Sequence, residues 1–396
     1  MFLKELSLRN FRNYTDLSIQ FNKGLNIFIG ENAQGKTSLL EAAHFIHSLQ
    51  SFRTQDEKSL INISSNDALL SAEVEREGNV INLSVLLDDK GKRVKLNGKK
   101  VAKASELLSR LAVITFSPDD LFLIKDLPSE RRRYFDKAIL PHSPSYLKTC
   151  IRYDNILEQR NRLLKGIRDK KRDEEKGLLR PWDEQLVEEG TRILFKRRSL
   201  VEQIRPFLEK IFQAISRDNK RPILIYETQL LPAEALSEGN VVLRCSEAAE
   251  QRKTEADIAD KVKGLFYQLL EEKRKEEFRY GYTLVGPHRD DFQFSIDDQR
   301  AKTTASQGQH RMIILALKLS EAVLYKEAFG EYPVLLLDDV FSELDEIRAE
   351  ALIEQIHDMN IEQVFITAAK KESIPFSNKG CSFYLIKEGT VKPYNS

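Results

Sequence analysis

The apolar positions change spacing twice along the chain, and the changes divide it. Up to about residue 116 they alternate or form short runs, so residues 3–8, 17–21, 25–29, 72–74, 80–87 and 113–116 read as strands. Residues 37–49 differ: Leu39, Leu40, Ala43, Phe45 and Ile46 are spaced for the inward face of a helix. From 129 to about 277, Leu and Ile recur every three or four residues among many charges. That spacing predicts long helices over 146–168, 182–216 and 246–280. Pro181, Pro206 and Pro222 are expected to interrupt them and to exclude a continuous coiled coil, with a short strand at 223–227. Strand texture returns at 282–284 and 292–296. A helix over 307–329 follows, then buried strands at 334–337 and 364–367 and a closing hairpin around Glu388-Gly389. The expectation is one α/β head made of residues 1–116 and 283–396, with 117–282 inserted as a mainly helical arm.

Between the strand 25–29 and the helix that follows lie Gly30-Glu31-Asn32-Ala33-Gln34-Gly35-Lys36-Thr37-Ser38. Gly, four free positions, Gly, Lys and Thr are the phosphate-binding loop pattern, here in the strand–loop–helix context it requires. A glycine-relaxed turn aims backbone N–H groups at an anion, and the helix N-terminus adds partial positive charge. Lys36 is expected to reach the β- and γ-phosphates of ATP, and Thr37 to hold Mg²⁺ through its hydroxyl.

The strand 334–337 ends in Asp338-Asp339, the complement such a loop needs. Asp338 is expected to hold Mg²⁺ beside Thr37, and Asp339 to take a proton from the attacking water. Ser306-Gln307-Gly308-Gln309 opens the helix 307–329, with Ser306 as its N-cap. The segment reads either as a capping turn or as a second anion site of hydroxyl, glycine and helix N-terminus, the latter suited to a partner chain's γ-phosphate more than to its own.

Composition narrows the class. The 396 residues are 41% hydrophobic and 31% charged, as in globular proteins, and no apolar run approaches the roughly 18 to 20 residues of a membrane span. A soluble, cytoplasmic chain with no membrane partner is expected. Cys150, Cys245 and Cys381 are too scattered for a metal or disulfide motif, and His44 and His47 lack companions for a metal pair. The net charge of +1 leaves nucleic-acid binding to local patches. Candidates are Lys92, Arg93, Lys95, Lys99, Lys100 and Lys103, set around an Asn97-Gly98 hairpin turn, and Arg131 to Arg133. Each could equally be a solvated or internally paired group.

The ordered set of motifs resembles the ABC-type ATPases of the SMC/Rad50 group, and within it the RecF family. The phosphate loop, Ser306-Gln307-Gly308-Gln309, Leu335-Leu336-Leu337-Asp338-Asp339 and Ser342-Glu343-Leu344-Asp345 carry the resemblance. Leu8 to Tyr14, Ser51-Phe52-Arg53-Thr54, Phe116-Ser117-Pro118-Asp119-Asp120-Leu121, Arg131-Arg132-Arg133 and Gly286-Pro287-His288-Arg289-Asp290-Asp291 extend it. The resemblance implies an ATPase head (lobe I) with an inserted arm (lobe II), closing head to tail as a homodimer around two ATP molecules. Ser306, Gly308 and Gln309 would then contact the opposite γ-phosphate, Asp345 would lie at the same interface, and Arg9 and Asn10 would approach phosphate. It further implies a weak, DNA-stimulated ATPase that grips double-stranded or gapped DNA in replication, recombination and the response to DNA damage. Its implied partners are RecR, with RecO, and indirectly RecA. Thr367 stands where transporter ATPases carry a switch histidine, and their Q-loop glutamine is missing. Those departures and the long insert argue against a transporter subunit, and the prolines argue against a long-armed Rad50 type. A scaffold with a relic ATP site is opposed by intact Lys36, Asp338 and Asp339.

Overall fold

The computed structural model describes residues 1–101, 110–170, 177–231, 255–342, 344–370, 374 and 381–394. Lys103, Cys245, Glu343 and the first residues of the helix expected from 246 lie outside them. In chain order the strands are β1 (Phe2–Phe11), β2 (Tyr14–Gln20), β3 (Gly24–Ile29), β4 (Ala68–Arg76), β5 (Asn79–Asp88), β6 (Gly91–Leu96), β7 (Lys99–Lys100) and β8 (Val113–Phe116). They continue with β9 (Pro222–Glu227), β10 (Asp291–Ile296), β11 (Gln299–Arg300), β12 (Val334–Leu337), β13 (Gln363–Ala368), β14 (Cys381–Lys387) and β15 (Thr390–Pro393). The helix after β3, α1, spans Lys36–Ser48. No described helix is long and apolar enough to cross a membrane.

The chain divides into two compact units. The first comprises Met1–Leu121, Phe207–Arg221 and Ser306–Ser396. It contains an antiparallel sheet of order β2-β1-β4-β5-β6-β7 and a mostly parallel sheet of order β15-β14-β3-β13-β12-β8. Phe21, Phe28, Phe365 and Tyr384 pack together in its core, Phe28 stacking on Tyr384 at 5.2 Å, and Leu40 and Phe45 bring α1 into the same cluster. Each such buried side chain contributes roughly 1.5–3 kcal/mol of transfer free energy. The Gln363 side chain ties the sheets: its Oε1 accepts the Leu3 amide at 2.8 Å and its Nε2 donates to the Leu3 carbonyl at 2.9 Å. A fully buried glutamine thus has partners for both ends of its amide.

The second unit comprises Phe122–Pro206 and Pro222–Ala305. It holds the helices Tyr146–Lys170 and Glu255–Tyr280, most of Arg180–Ser216, and a small sheet of order β11-β10-β9. Residues 283–305, expected in the head, belong here because β10 pairs antiparallel with β9, Phe292 facing Tyr226. Pro206 does not end its helix, contrary to expectation. It lies inside Arg180–Ser216, at the residue where the two units divide. Pro181 sits in that helix's first turn, where the missing N–H costs nothing, and Pro222 opens β9.

Buried ion pairs organise this unit. Arg160, with no exposed surface, donates to Asp183, Glu277 and Thr283 at 2.7, 2.6 and 2.8 Å. Arg131 makes a bidentate pair with Asp291 at 2.7 and 2.8 Å, Arg132 donates to the Asp290 carbonyl at 2.6 Å, and Arg133 pairs with Glu130. The three consecutive arginines are therefore engaged within the fold. In the β6–β7 hairpin, Lys92 pairs with Glu57 and Arg93 with Asp88, while Lys95, Lys99 and Lys100 are exposed.

Candidate nucleotide site

Strand order sets the site. β3, β13 and β12 are parallel neighbours, so residues at their carboxyl ends come together: the loop after β3, Thr367 on β13, and Asp338 after β12. That edge is where open α/β sheets bind ligands. A cavity of about 700 Å³ opens there, lined by Lys36, Thr37, Asp338, Asp339 and Thr367 among others. Its size suits a nucleotide.

The loop from Gly30 needs two left-handed residues, Ala33 (φ +66°) and Gly35 (φ +116°), before α1 begins. A Cβ on Gly30 would meet the Ile386 carbonyl oxygen at 2.4 Å, and one on Gly35 would meet Asn13 at 2.6 Å, so both positions require glycine. The loop is clasped from outside. Asn13 Nδ2 donates to the Gln34 carbonyl at 2.9 Å and the Tyr14 hydroxyl to the Gly35 carbonyl at 3.0 Å. Gln34 Oε1 accepts the Glu388 amide at 2.7 Å. Glu31, Asn32 and Ala33 are exposed, and of these Asn32 and Ala33 line the cavity.

Lys36 Nζ donates to the Gly30 and Glu31 carbonyls at 2.5 and 2.7 Å. Burial pulls its ammonium below its usual pKa, opposed by the charges of Asp339 and Asp338. Thr37 Oγ1 donates to Asp338 Oδ1 at 3.0 Å, and Thr367 Oγ1 donates to the same oxygen at 2.7 Å. Burial pushes Asp338 above the usual carboxylate range, and these hydroxyls pull it back. Asp339 has φ +47°, and its amide donates to Thr367 Oγ1 at 2.8 Å. Thr37 and Asp338 present adjacent hard oxygen donors, the set that Mg²⁺ takes together with water and phosphate. The residues therefore fit both ATP and the metal.

The signature segment lies elsewhere on the first unit. Neither Ser306, Gly308 and Gln309 nor Asp345 lines the cavity. Ser306 caps the helix Gln307–Phe329 with a reciprocal box: Gln309 N donates to its hydroxyl at 3.3 Å and its own amide to Gln309 Oε1 at 2.9 Å. Arg348 pairs with Asp345 at 3.2 Å and would lie 3.3 Å from a Cβ on Gly308, so these motifs share one surface.

Arg9 and Asn10, expected near phosphate, do not line the cavity; the Arg9 guanidinium reaches Asp67 at 3.5 Å. Arg12, Asn13 and Arg53 line it instead. Arg9 is held within β1 between Asp16 of β2 and Leu69 of β4, three positions short of Arg12 in the turn that reaches the cavity. His44 Nδ1 contacts Thr115 Oγ1 at 2.8 Å, and His47 Nδ1 the Leu111 carbonyl at 2.5 Å, with burial holding His47 down to about 4. Both histidines are thus held by partners within the fold.

Comparison with known proteins shows the family. The family model described as RecF/RecN/SMC N terminal domain matches residues 2–392. The chain is 35% identical over 393 residues to the DNA replication and repair protein RecF of Halalkalibacterium halodurans, covering 99% of each. It is 37% identical over 391 residues to that of Streptococcus equi subsp. zooepidemicus, covering 99% of this chain and 98% of the relative. A solved structure of the recombination mediator protein RecF-ATP in the RecFOR pathway superimposes with a TM-score of 0.81 at 31% identity, over 100% of this chain and 98% of that one. The Smc head domain of Pyrococcus furiosus, at 16% identity and a TM-score of 0.55 over 99% and 96% of the chains, shares the fold.

Proposed function

Because this chain belongs to the RecF family of DNA replication and repair proteins, built on the ABC ATPase head, we propose that it acts as an ATP-dependent clamp on DNA. ATP binding joins two copies head to tail on double-stranded DNA near single-strand gaps, and slow, DNA-stimulated hydrolysis releases them. RecR, with RecO, and indirectly RecA are its proposed partners, in the cytoplasm. The observation that carries the reading is the convergence of Lys36, Thr37, Asp338, Asp339 and Thr367 on one cavity.

In the proposed reaction the amides of Gly30 to Thr37 and the Lys36 ammonium hold the phosphates. Thr37 and Asp338 would hold Mg²⁺, which when bound neutralises phosphate charge. Asp339 takes the proton of the attacking water. Ser306, Gly308 and Gln309 of the second copy complete the site at the γ-phosphate, with Asp345 at the same interface. Their absence from the lining of the chain's own cavity is what the head-to-tail arrangement requires.

The deciding experiment follows duplex and gapped DNA binding with and without ATP across a salt series, with sedimentation of the same samples. The expected result is ATP-dependent dimerisation that appears together with DNA binding, the affinity falling steeply with salt. A protein that stays monomeric and binds no DNA when saturated with Mg²⁺ and a non-hydrolysable nucleotide overturns the proposal.

A further inference from the structure

Helix α1 turns an apolar face to the core, with Leu39, Leu40, Ala42 and Ala43 all buried, yet Glu41 between them has no exposed surface either. A carboxylate taken wholly out of water needs compensating donors. Arg12 supplies two: Nε donates to Oε2 at 2.9 Å and Nη2 to Oε1 at 2.8 Å, a bidentate pair. Ser51 donates its hydroxyl to Oε1, and Arg53 Nη1 lies 3.7 Å from Oε2. One acid therefore gathers two guanidiniums from loops about forty residues apart in sequence.

Both arginines are fixed from other sides as well. Arg12 sits at φ +52°, with its amide donating to the Leu60 carbonyl at 2.8 Å and Asn62 Nδ2 donating to its carbonyl at 2.7 Å. Its Nη1 donates to the Ser59 carbonyl at 2.9 Å. The Ser51 hydroxyl that donates to Glu41 also accepts the Arg53 amide at 2.9 Å. A left-handed arginine is strained and persists only where the surroundings demand it.

Arg12 and Arg53 line the same cavity as Lys36, and the positive charge of Arg53 is felt at Asp338. A guanidinium carries five N–H donors, more than the bonds to Glu41 and Ser59 take up, and both side chains border the space in which a phosphate chain would lie. We infer that Glu41 is a positioning residue for this cavity, holding Arg12 and Arg53 from behind so that their free N–H donors meet the phosphates of a nucleoside triphosphate. The inference rests on the reading of the cavity as a nucleotide site.

The test exploits a difference in sign. If Glu41 acted only through its charge, removing that charge would make the cavity more positive and tighten anion binding. A positioning role predicts the reverse. In Glu41→Gln, affinity for ATP is expected to fall about tenfold or more, the scale of one charge-assisted hydrogen bond, whereas AMP binding changes less than about twofold. Glu41→Gln added to Arg12→Ala/Arg53→Gln is expected to have no further effect. Arg53 is 42% exposed, so Arg53→Gln keeps a folded protein in hand should the buried change prevent folding, and it is expected to lower the ATP-to-AMP affinity ratio severalfold. Titration calorimetry with ATP and AMP reads every arm. A ratio unchanged from the parent in either single variant, or a tighter ATP complex in Glu41→Gln, overturns the positioning role alone. A parent protein that binds no ATP overturns the nucleotide reading itself.

Discussion

Thr367 donates its hydroxyl to Asp338 Oδ1 at 2.7 Å while the same hydroxyl accepts the Asp339 amide at 2.8 Å. One side chain on β13 thereby aligns both acids at the end of β12. Thr367→Val keeps the shape and removes both bonds, each worth about 1 kcal/mol. Turnover is expected to fall about tenfold with ATP affinity within about threefold of the parent. Parallel measurement of kcat and Kd checks this; equal losses in both would assign Thr367 to binding instead.

Asp339 adopts a left-handed conformation at φ +47°, which asparagine also tolerates. Asp339→Asn therefore keeps the backbone and removes the proton acceptor. ATP binding should persist, hydrolysis should drop by about 10²-fold or more, and the complex with DNA should outlive that of the parent. Steady-state phosphate release and dissociation of labelled duplex decide it, and ordinary turnover would remove Asp339 from its proposed role.

Ser306 is exposed and away from the chain's own cavity. Ser306→Arg should leave nucleotide binding by the monomer unchanged and abolish ATP-dependent dimerisation. Fluorescent-nucleotide titration paired with sedimentation separates the two effects. Dimers formed as readily as by the parent would place the signature outside the interface.

The second unit should carry a pH signature. Burial raises the Asp290 carboxyl from its ordinary 3.8 to about 6, with Arg197, Tyr226 and Arg132 opposing the shift. The native state thus holds this proton more tightly than the unfolded chain. Its contribution is fully present below about pH 4 and lost as pH rises through about 6, amounting to about 3 kcal/mol. The chain's single tryptophan, Trp182, lies in the second unit and reports its unfolding. Urea titrations followed by Trp182 fluorescence should show stability falling from pH 4 to 7, and Asp290→Asn should flatten that slope.

The elements legible in the sequence were those whose information is local. The phosphate loop, the strand ending in Asp338-Asp339 and the capped helix at Ser306 announce themselves through spacing within a few residues. What spacing does not carry is which strand lies between two others. Thr367 acts at the acids because β13 is inserted between β3 and β12, a fact of sheet order. The partnership of β9 with β10 is likewise a pairing across some 65 residues, so 283–305 read as head when taken in chain order. Pro206 misled because packing carries a helix through a residue that local propensity would use to break it. Glu41 did leave a local trace, a charged residue amid an apolar helical face, but its partners come from two distant loops.

Gln34 and Glu388 are separated by 354 positions, yet their hydrogen bond braces the loop that opens α1. That brace reaches the loop only because β14 pairs in parallel beside β3, so the support comes from a segment far from it along the chain. A change in the hairpin turn between β14 and β15 would therefore be felt at a loop it never adjoins in sequence.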